Sequence, residues 1–159
     1  MTANPSSSSL PLGFRYASAA CGLKKRGQHS SLDVALIVSD PPASAAAVFT
    51  QNLVQAAPVV LSRAHVRASA EAMRAVIINS GNANCSTGPS GMVASRATAD
   101  CVARNLGCRP QQVAVCSTGV IGVPLRVERI LSAVPELAGA LGPSLRAFGG
   151  LTRAIMTTD

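Results

Sequence analysis

Short apolar segments separated by small polar turns run through most of the chain, and this pattern predicts strands interspersed with helices. Residues 32–39 form a run rich in β-branched side chains that ends at the strand-breaking sequence Asp40-Pro41-Pro42. Residues 74–79 form a second run whose apolar centre has no polar interruption, as is typical of a buried strand. Three further apolar segments are predicted to be strands: residues 45–50, 57–62 and 112–117.

Helical spacing of apolar residues is clearest in residues 91–106, and Gly107 is placed to end that helix in a left-handed conformation. Pro135 is expected to end another helix, because proline lacks the N–H that the helical ladder needs. The shorter helices predicted in this way cover residues 66–73, 125–134 and 143–148. Helices and strands in this order indicate a mixed α/β fold.

Composition agrees with one folded domain. The 159 residues are 48% hydrophobic and 13% charged, which excludes intrinsic disorder, since disorder needs low hydrophobicity and high net charge. The longest apolar runs are far shorter than the roughly 20 residues that cross a bilayer, so no membrane partner is expected. We expect a flexible N-terminus over residues 1–12 and a single α/β domain over residues 13–159. The polar start resembles neither a secretory signal nor a transit peptide, which favours a cytoplasmic location.

The charge balance invites three explanations. The 14 Lys and Arg residues exceed the 7 Asp and Glu residues and give a formal net charge of +7. This excess fits a nucleic-acid partner, an anionic small substrate, or a basic surface that binds nothing in particular. Only Lys24-Lys25-Arg26 forms a basic run, and aromatic side chains, on which bases stack, make up 3% of the chain. No nucleic-acid partner is therefore expected, and the basic surface is the simplest explanation.

Candidate nucleophiles and metal ligands are scarce. Five cysteines without a CxxC pair match neither a disulfide framework nor a zinc site, and we expect them to be free and mostly buried. Cys116, within an apolar strand, is expected in the core. The histidines His29 and His65 lack metal-binding spacing, so no metal is expected. Neither Ser86 nor Ser117 lies in a GxSxG sequence.

Two polar loops directly follow predicted strands. Residues 79–88 could hold an anion, or they could simply form a hydrogen-bonded turn that connects the strand to the next helix. The second interpretation is slightly favoured. Four residues are expected to support this loop: Asn79, Gly81, Asn82 and Asn84. Residues 117–122 place a hydroxyl residue before a glycine, which can expose N–H donors to a developing negative charge. A plain turn explains that sequence as well.

Five stretches of the chain occur in a characteristic order: GFRYASAACGLKKRG (13–27), DVALIVSDPPASAAAVFTQNLVQAAPVVLSR (33–63), INSGNANCSTG (78–88), STGVIG (117–122) and AIMTTD (154–159). Together they resemble the ornithine acetyltransferase / glutamate N-acetyltransferase family of arginine biosynthesis, from residue 13 to residue 159. One departure is Cys85-Ser86, where the family usually has alanine and cysteine. Both replacements are small, so we expect the loop geometry to be kept. The position of the family's usual cysteine is occupied here by Ser86, which argues against a catalytic thiol at this place.

The resemblance implies an α/β sandwich of β-sheets flanked by helices. It also implies transfer of the acetyl group from N-acetylornithine to glutamate through an acetyl-threonine intermediate, with acetyl-CoA as a further donor. That threonine becomes the first residue of the β chain when the precursor cuts itself. The resemblance assigns Thr118 and Gly119 to the oxyanion hole and either Thr157 or Thr158 to substrate binding. No metal or organic cofactor is implied.

The family's KGxGM stretch and MAT-type cleavage motif do not occur in this sequence. We therefore expect an N-terminal fragment of the α chain, inactive alone and poorly soluble because strands that should meet the β chain leave open edges. The implied partner is the β chain of the same precursor, in a heterotetramer of two α and two β chains. Two alternatives are a non-catalytic ligand-binding or assembly subunit and a self-processing aminopeptidase-type hydrolase.

Overall fold

The computed structural model of the protein describes residues 10–24 and 32–157. Four strands and four α-helices lie in these ranges, with one turn of 3-10 helix before the last strand. In chain order they are β1 (Phe14–Ala19), β2 (Val34–Ala43), α1 (Ala57–Ser69), β3 (Met73–Asn79), α2 (Gly88–Leu106), the 3-10 turn (Pro110–Gln112), β4 (Val113–Ser117), α3 (Val127–Gly139) and α4 (Leu145–Ile155). None of these helices has the length and apolar character that a bilayer crossing requires.

The strands form one mixed sheet in the order β1-β2-β3-β4. The β1–β2 and β2–β3 pairs are antiparallel, whereas β3 and β4 are parallel and are connected through α2. The carboxyl ends of β3 and β4 therefore meet at the same edge, where Asn79 pairs with Ser117. The mixed α/β class is confirmed, and the described residues form one sheet with helices on both faces.

Two apolar clusters hold helices to the two faces of the sheet. The larger cluster joins α1, α2 and α3 to one face and includes these buried residues: Leu36, Leu61, Ile77, Val102 and Leu137. The smaller cluster joins α4 to the other face, with Tyr16 and Leu151 at its centre. The ring of Phe148 meets the Tyr16 ring edge-on at 5.2 Å, an arrangement that aromatic pairs prefer.

Several predicted elements are confirmed and others are wrong. The strands at 32–39, 74–79 and 112–117 and the helix ended by Gly107 are present, whereas residues 45–50 form no strand. Residues 57–62 begin helix α1 instead of forming a strand. Pro58 sits in the first helical turn, where an N–H has no helical partner anyway. The helix expected at 66–73 is only the last turn of α1.

Pro135 does not end its helix. Helix α3 continues through it to Gly139, although proline leaves the carbonyl of Leu131 without its usual N–H partner. The thiol of Cys101 donates to this carbonyl at 3.8 Å, so a neighbouring helix compensates for the missing bond. The sequence pattern of α3 alone contains no sign of that contact.

Helix α4 extends well beyond the predicted residues 143–148, and strand β1 was not predicted. Gly150 lies inside α4, where a Cβ atom would come within 2.4 Å of the Ser18 hydroxyl. The glycine thus allows the helix to lie close against β1, and close packing offsets the low helix propensity of glycine.

Helix α1 covers the outer edge of β4. The Ser62 hydroxyl donates to the carbonyl oxygen of Val115 at 2.7 Å and accepts from the N–H of the same residue at 2.9 Å. Nδ1 of His65, a buried residue, lies 2.8 Å from the carbonyl oxygen of Val113. Peptide groups that face outward from β4 are therefore paired with helix side chains instead of being left open.

The opposite edge is paired at its centre as well, because Tyr16 and Gly142 exchange two backbone hydrogen bonds of 2.9 and 3.1 Å. The expectation of open strand edges is thus wrong at both positions. Bare apolar surface is most pronounced in the irregular segment 44–56, where Val48 is 99% and Leu53 100% exposed, and Val120 and Ile121 are exposed as well. The expected flexible N-terminus falls mostly on residues 1–9, outside the described residues.

All five cysteines are free, as expected, but most of them are not buried. Only Cys101 is buried, and Cys116 is exposed. Strand β4 has helices on one face and little cover on the other, so a side chain that points away from α1 and α2 reaches the surface. The prediction that Cys116 belongs to the core is therefore wrong.

Replacing Ser62 by alanine should lower the free energy of unfolding by about 1–3 kcal/mol, because it leaves both peptide groups of Val115 unpaired. Urea unfolding followed by circular dichroism measures the change. Ser132→Ala is the control, since the Ser132 hydroxyl is exposed on α3 and its loss should change stability by less than about 0.5 kcal/mol. Equal stability of the two variants would show that Ser62 does not protect the edge.

Candidate active site

The two polar loops of the sequence form one structure. Since β3 and β4 are parallel neighbours, residues 79–88 and 117–122 leave the sheet side by side. The N–H of Thr118 donates to the carbonyl oxygen of Asn79 at 2.9 Å, and the Ser117 hydroxyl donates to the Asn79 side chain at 2.6 Å. Asn79 therefore fixes the start of the second loop from the end of the first.

Backbone hydrogen bonds continue this pairing beyond the ends of the strands. Ala83 donates to Val120 at 2.9 Å, Val120 donates to Gly81 at 3.4 Å, and Gly122 donates to Cys85 at 2.9 Å. The loops are thus held by a short ladder that neither sequence segment reveals by itself.

The side chains of the other two asparagines in the first loop, Asn82 and Asn84, form hydrogen bonds within the protein. Nδ2 of Asn82 donates to the carbonyl oxygen of Val123 at 3.0 Å, and its Oδ1 accepts from the N–H of Asn84 at 2.8 Å. Nδ2 of Asn84 donates to the Gly91 carbonyl and to the Ser95 hydroxyl at 2.9 and 3.0 Å. Both side chains are buried, and their hydrogen bonds link the loop to residue 123 and to α2.

A close backbone contact joins the two loops at Gly119. Its φ is +129°, and a Cβ atom there would lie 2.4 Å from the carbonyl carbon of Gly81 and 2.6 Å from the nitrogen of Asn82. Gly81, with φ +92°, is similarly close to the backbone of Leu23 at 2.9 Å. No side chain fits at either glycine, so three stretches of backbone stack directly on one another.

Two neighbouring hydrogen-bond donors at the start of the second loop are unused within the described part of the chain. The Thr118 hydroxyl and the Gly119 N–H have no hydrogen-bond partner there, whereas the Thr118 N–H is taken by Asn79. Thr118 is half-buried and Gly119 is exposed, so both donors can reach a ligand. We call them the donor pair. Adjacent donors held in this way suit a negative charge on a small oxygen atom.

The buried carboxylate of Asp33 was missed by the sequence analysis. It is fully buried and accepts three backbone hydrogen bonds, from Cys21 at 2.7 Å, Leu23 at 2.5 Å and Lys24 at 3.1 Å. Its own carbonyl oxygen accepts from the N–H of Ser80 at 2.9 Å. The only signal in the sequence is an acidic residue at the start of an apolar strand, and that signal does not identify the donors.

Asp33 and burial also affect two neighbouring titratable groups. Burial, and then the hydrogen bond and charge of Asp33, raise the pKa of Cys21 to about 12, so its thiol stays protonated and unreactive. Burial lowers the pKa of Lys24, and the charge of Asp33 opposes that shift. Cys21 is thus not activated as a nucleophile, and the Nζ atom of Lys24 is occupied by a hydrogen bond to the carbonyl oxygen of Leu32.

The end of α4 is anchored beside the first loop. The Lys24 ammonium donates to the carbonyl oxygens of Leu32 at 2.9 Å and of Arg153 and Ala154 at 3.4 Å. A cation at this end of a helix also compensates the helix dipole. The Ser80 hydroxyl donates to the same Ala154 carbonyl at 2.5 Å. The chain leaving α4 therefore starts next to the paired loops.

Of the two candidate substrate-binding threonines, Thr157 is described and half-buried, three residues after the anchored Ala154. Thr158 lies outside the described residues. Candidate nucleophiles remain scarce at this site, because the Ser117 hydroxyl already bonds to Asn79. His29 is not described, and within the described ranges no group of three or more His, Cys, Asp or Glu side chains is placed to hold a metal ion.

Comparison with known sequences identifies relatives over nearly the whole chain. Residues 15–159 match the model of the ArgJ family. The arginine biosynthesis bifunctional protein ArgJ of Geobacter sulfurreducens is 48% identical over 147 residues, which is 92% of this chain and 36% of that protein. The protein of the same name from Nitratidesulfovibrio vulgaris is 47% identical over 152 residues, 96% of this chain and 37% of its own. The chain thus spans a little over a third of these relatives.

Solved structures show the same fold. The ornithine acetyltransferase of Mycobacterium tuberculosis, complexed with ornithine, superposes with a TM-score of 0.86 at 40% identity, covering 94% of this chain and 78% of that one. The arginine biosynthesis bifunctional protein of Bacillus halodurans gives a TM-score of 0.85 at 33% identity, covering 93% and 74%. By sequence and by structure, the chain belongs to the ArgJ family.

Proposed function

We propose that this chain supplies the oxyanion-binding part of an acetyltransferase of arginine biosynthesis, which moves the acetyl group of N-acetylornithine to glutamate. The observation that carries the proposal is the donor pair, the unused Thr118 hydroxyl and Gly119 N–H at the carboxyl end of β4. Membership of the ArgJ family and the names of its relatives support the reaction.

The chemistry explains what such donors are for. A threonine hydroxyl attacks the acetyl carbonyl carbon, a C–O bond forms, and the carbonyl electron pair moves to the oxygen. Collapse of this tetrahedral species breaks the C–N bond, and ornithine leaves with the proton as a neutral amine. The α-amine of glutamate then attacks the acetyl ester, and the threonine hydroxyl recovers its proton. Both tetrahedral species carry full negative charge on one oxygen, which the donor pair stabilises.

The nucleophilic threonine belongs, in this proposal, to the β chain formed by self-cleavage of a longer precursor. Its freed α-amine serves as the base. The partner is accordingly that β chain, in a heterotetramer of two α and two β chains. Acetyl-CoA is proposed as an additional acetyl donor, with no metal or organic cofactor. A cytoplasmic location is part of the same proposal.

The substrate side of the site is proposed to include the segment after α4. Thr157 and Thr158 remain the two candidates for substrate binding, and Thr157 follows the carbonyls that Lys24 and Ser80 anchor. An anchored segment keeps its orientation as substrate binds, so less conformational entropy is lost. Lys24 and Ser80 thus contribute through position and not through contact with the reacting atoms.

Thr118→Ala in the enzyme reconstituted with its β chain should lower kcat for acetyl transfer by about 10²–10³, or roughly 2.7–4 kcal/mol of barrier. The hydroxyl is the relevant donor, because the N–H of Thr118 already bonds to Asn79. KM should change less than kcat, since the oxyanion exists only during reaction. Thr118→Ser keeps the hydroxyl and is the control. A kcat for Thr118→Ala equal to that of the control would remove Thr118 from the proposed oxyanion hole.

Gly119→Ala and Gly119→Val should both separate the two loops, because the new Cβ atom would strike the Gly81 backbone. We expect uncleaved precursor to accumulate on a denaturing gel, with the valine variant affected more. Gly122→Ala is the matched control. Gly122 has a similar positive φ of +78° but nothing within 4 Å of its Cβ position, so only modest strain is added. If both Gly119 variants were cleaved and turned over normally, this loop would be a turn with no role in catalysis.

The 159-residue chain alone should not release ornithine from N-acetylornithine above a protein-free blank. The donor pair stabilises charge, but the proposed nucleophile is a threonine of the β chain, and the Ser117 hydroxyl beside the pair already bonds to Asn79. Adding the β chain of a family relative should restore turnover if the pairing is correct. Release of ornithine by the chain alone would show that the acetyl acceptor lies within these residues.

A further inference from the structure

A cavity of about 410 Å³ lies beside the paired loops but does not include the donor pair in its lining. Its walls are largely apolar, with Arg126 as the cationic residue and Gly81 and Asn82 of the first loop on one side; the apolar lining residues are Leu23, Val120, Val123 and Pro124. This volume falls within the roughly 300–1,000 Å³ typical of small-molecule sites. Apolar walls with one charged group resemble the usual composition of such sites.

Two guanidinium groups meet next to this cavity on a single acceptor. Nη2 of Arg126 and Nη1 of Arg129 both donate to the carbonyl oxygen of Gly22, at 3.2 and 2.5 Å. Gly22 makes the approach possible, because a Cβ atom there would lie 2.6 Å from the Arg129 guanidinium. Arg126 is exposed and Arg129 is half-buried, so water screens the repulsion between these like charges, and an anion bound between them would lower it further.

Neither arginine has an anionic partner within the described ranges. The ion pairs found there join Arg15 and Arg74 to Asp40, at the other end of the sheet. A guanidinium carries five N–H donors, and Arg126 uses one of them on Gly22, so donors remain for a bidentate carboxylate. The cavity thus combines an unpaired cation with an apolar wall.

We propose that this cavity binds a small aliphatic carboxylate, at a site separate from the donor pair. Arg126 binds the carboxylate, Arg129 holds the Gly22 carbonyl in place and adds positive charge, and the aliphatic chain packs against Leu23, Val120 and Val123. The proposal does not depend on acetyl transfer, because it rests on the cavity and on the two arginines alone.

Calorimetric titration of the full 159-residue chain tests the proposal with three probes. Hexanoate has both a carboxylate and an aliphatic chain, hexanamide lacks the charge, and inorganic phosphate lacks the chain. We expect hexanoate to bind about tenfold or more tightly than either of the others. Hexanamide lacks the charge that pairs with Arg126, and phosphate lacks the chain that packs against the apolar walls. Equal binding of hexanamide, or of phosphate, or no binding of hexanoate, would overturn the proposal.

Variants locate the site. Arg126→Gln should weaken hexanoate binding by about 10-fold to 100-fold, and Arg129→Gln should weaken it less. Arg104→Gln is the matched control, because Arg104 is exposed on α2 and its loss changes the net charge equally. Thermal unfolding of each variant checks that it is folded. If Arg126→Gln and Arg104→Gln bind hexanoate equally well, the carboxylate is not held by Arg126 and the site is not in this cavity.

Discussion

The buried carboxylate of Asp33 is the interaction on which the candidate site depends. A charge without solvent is costly unless hydrogen bonds satisfy it, and here three backbone N–H groups do so. These bonds fix residues 21–24, and the backbone of Leu23 in turn lies against Gly81. Gly81 contacts Gly119, so a single buried charge sets the position of one of the proposed oxyanion donors through three layers of backbone.

Much of the architecture was predictable because it follows from local pattern. Strand β3 has an uninterrupted apolar centre, and α2 shows helical spacing up to its C-terminal Gly107. The failures share a physical cause, which is compensation by distant residues. Helix α3 continues through Pro135 because Cys101 supplies a donor to the freed carbonyl. Residues 57–62 of α1 were predicted to be a strand, and they contain Ser62. Its hydroxyl donates to the carbonyl oxygen of Val115 at the edge of β4, 53 residues away in sequence.

For the candidate site, too, one part was predictable from local sequence and another part depends on distant residues. Small hydroxyl and glycine residues after β4 indicated a place where N–H donors could be exposed, and the family resemblance indicated their use. Which donors are free depends on pairing with the other loop, since Asn79 takes the N–H of Thr118 and leaves the hydroxyl. Asp33 could not be predicted, because its partners are backbone groups, and sequence does not record which backbone groups lack a partner.

The asparagines of the first loop decide how the donor pair is held. Had their amides been free, they could have contacted a ligand, but they would have needed to reorient as charge developed. Asn82 and Asn84 instead use their side chains on neighbouring backbone and on α2. The donors are thus fixed before any ligand arrives, and fixed dipoles stabilise a developing charge without a reorganisation cost at the moment of reaction. Because these amides are occupied, recognition of a ligand at the donor pair must come from other groups.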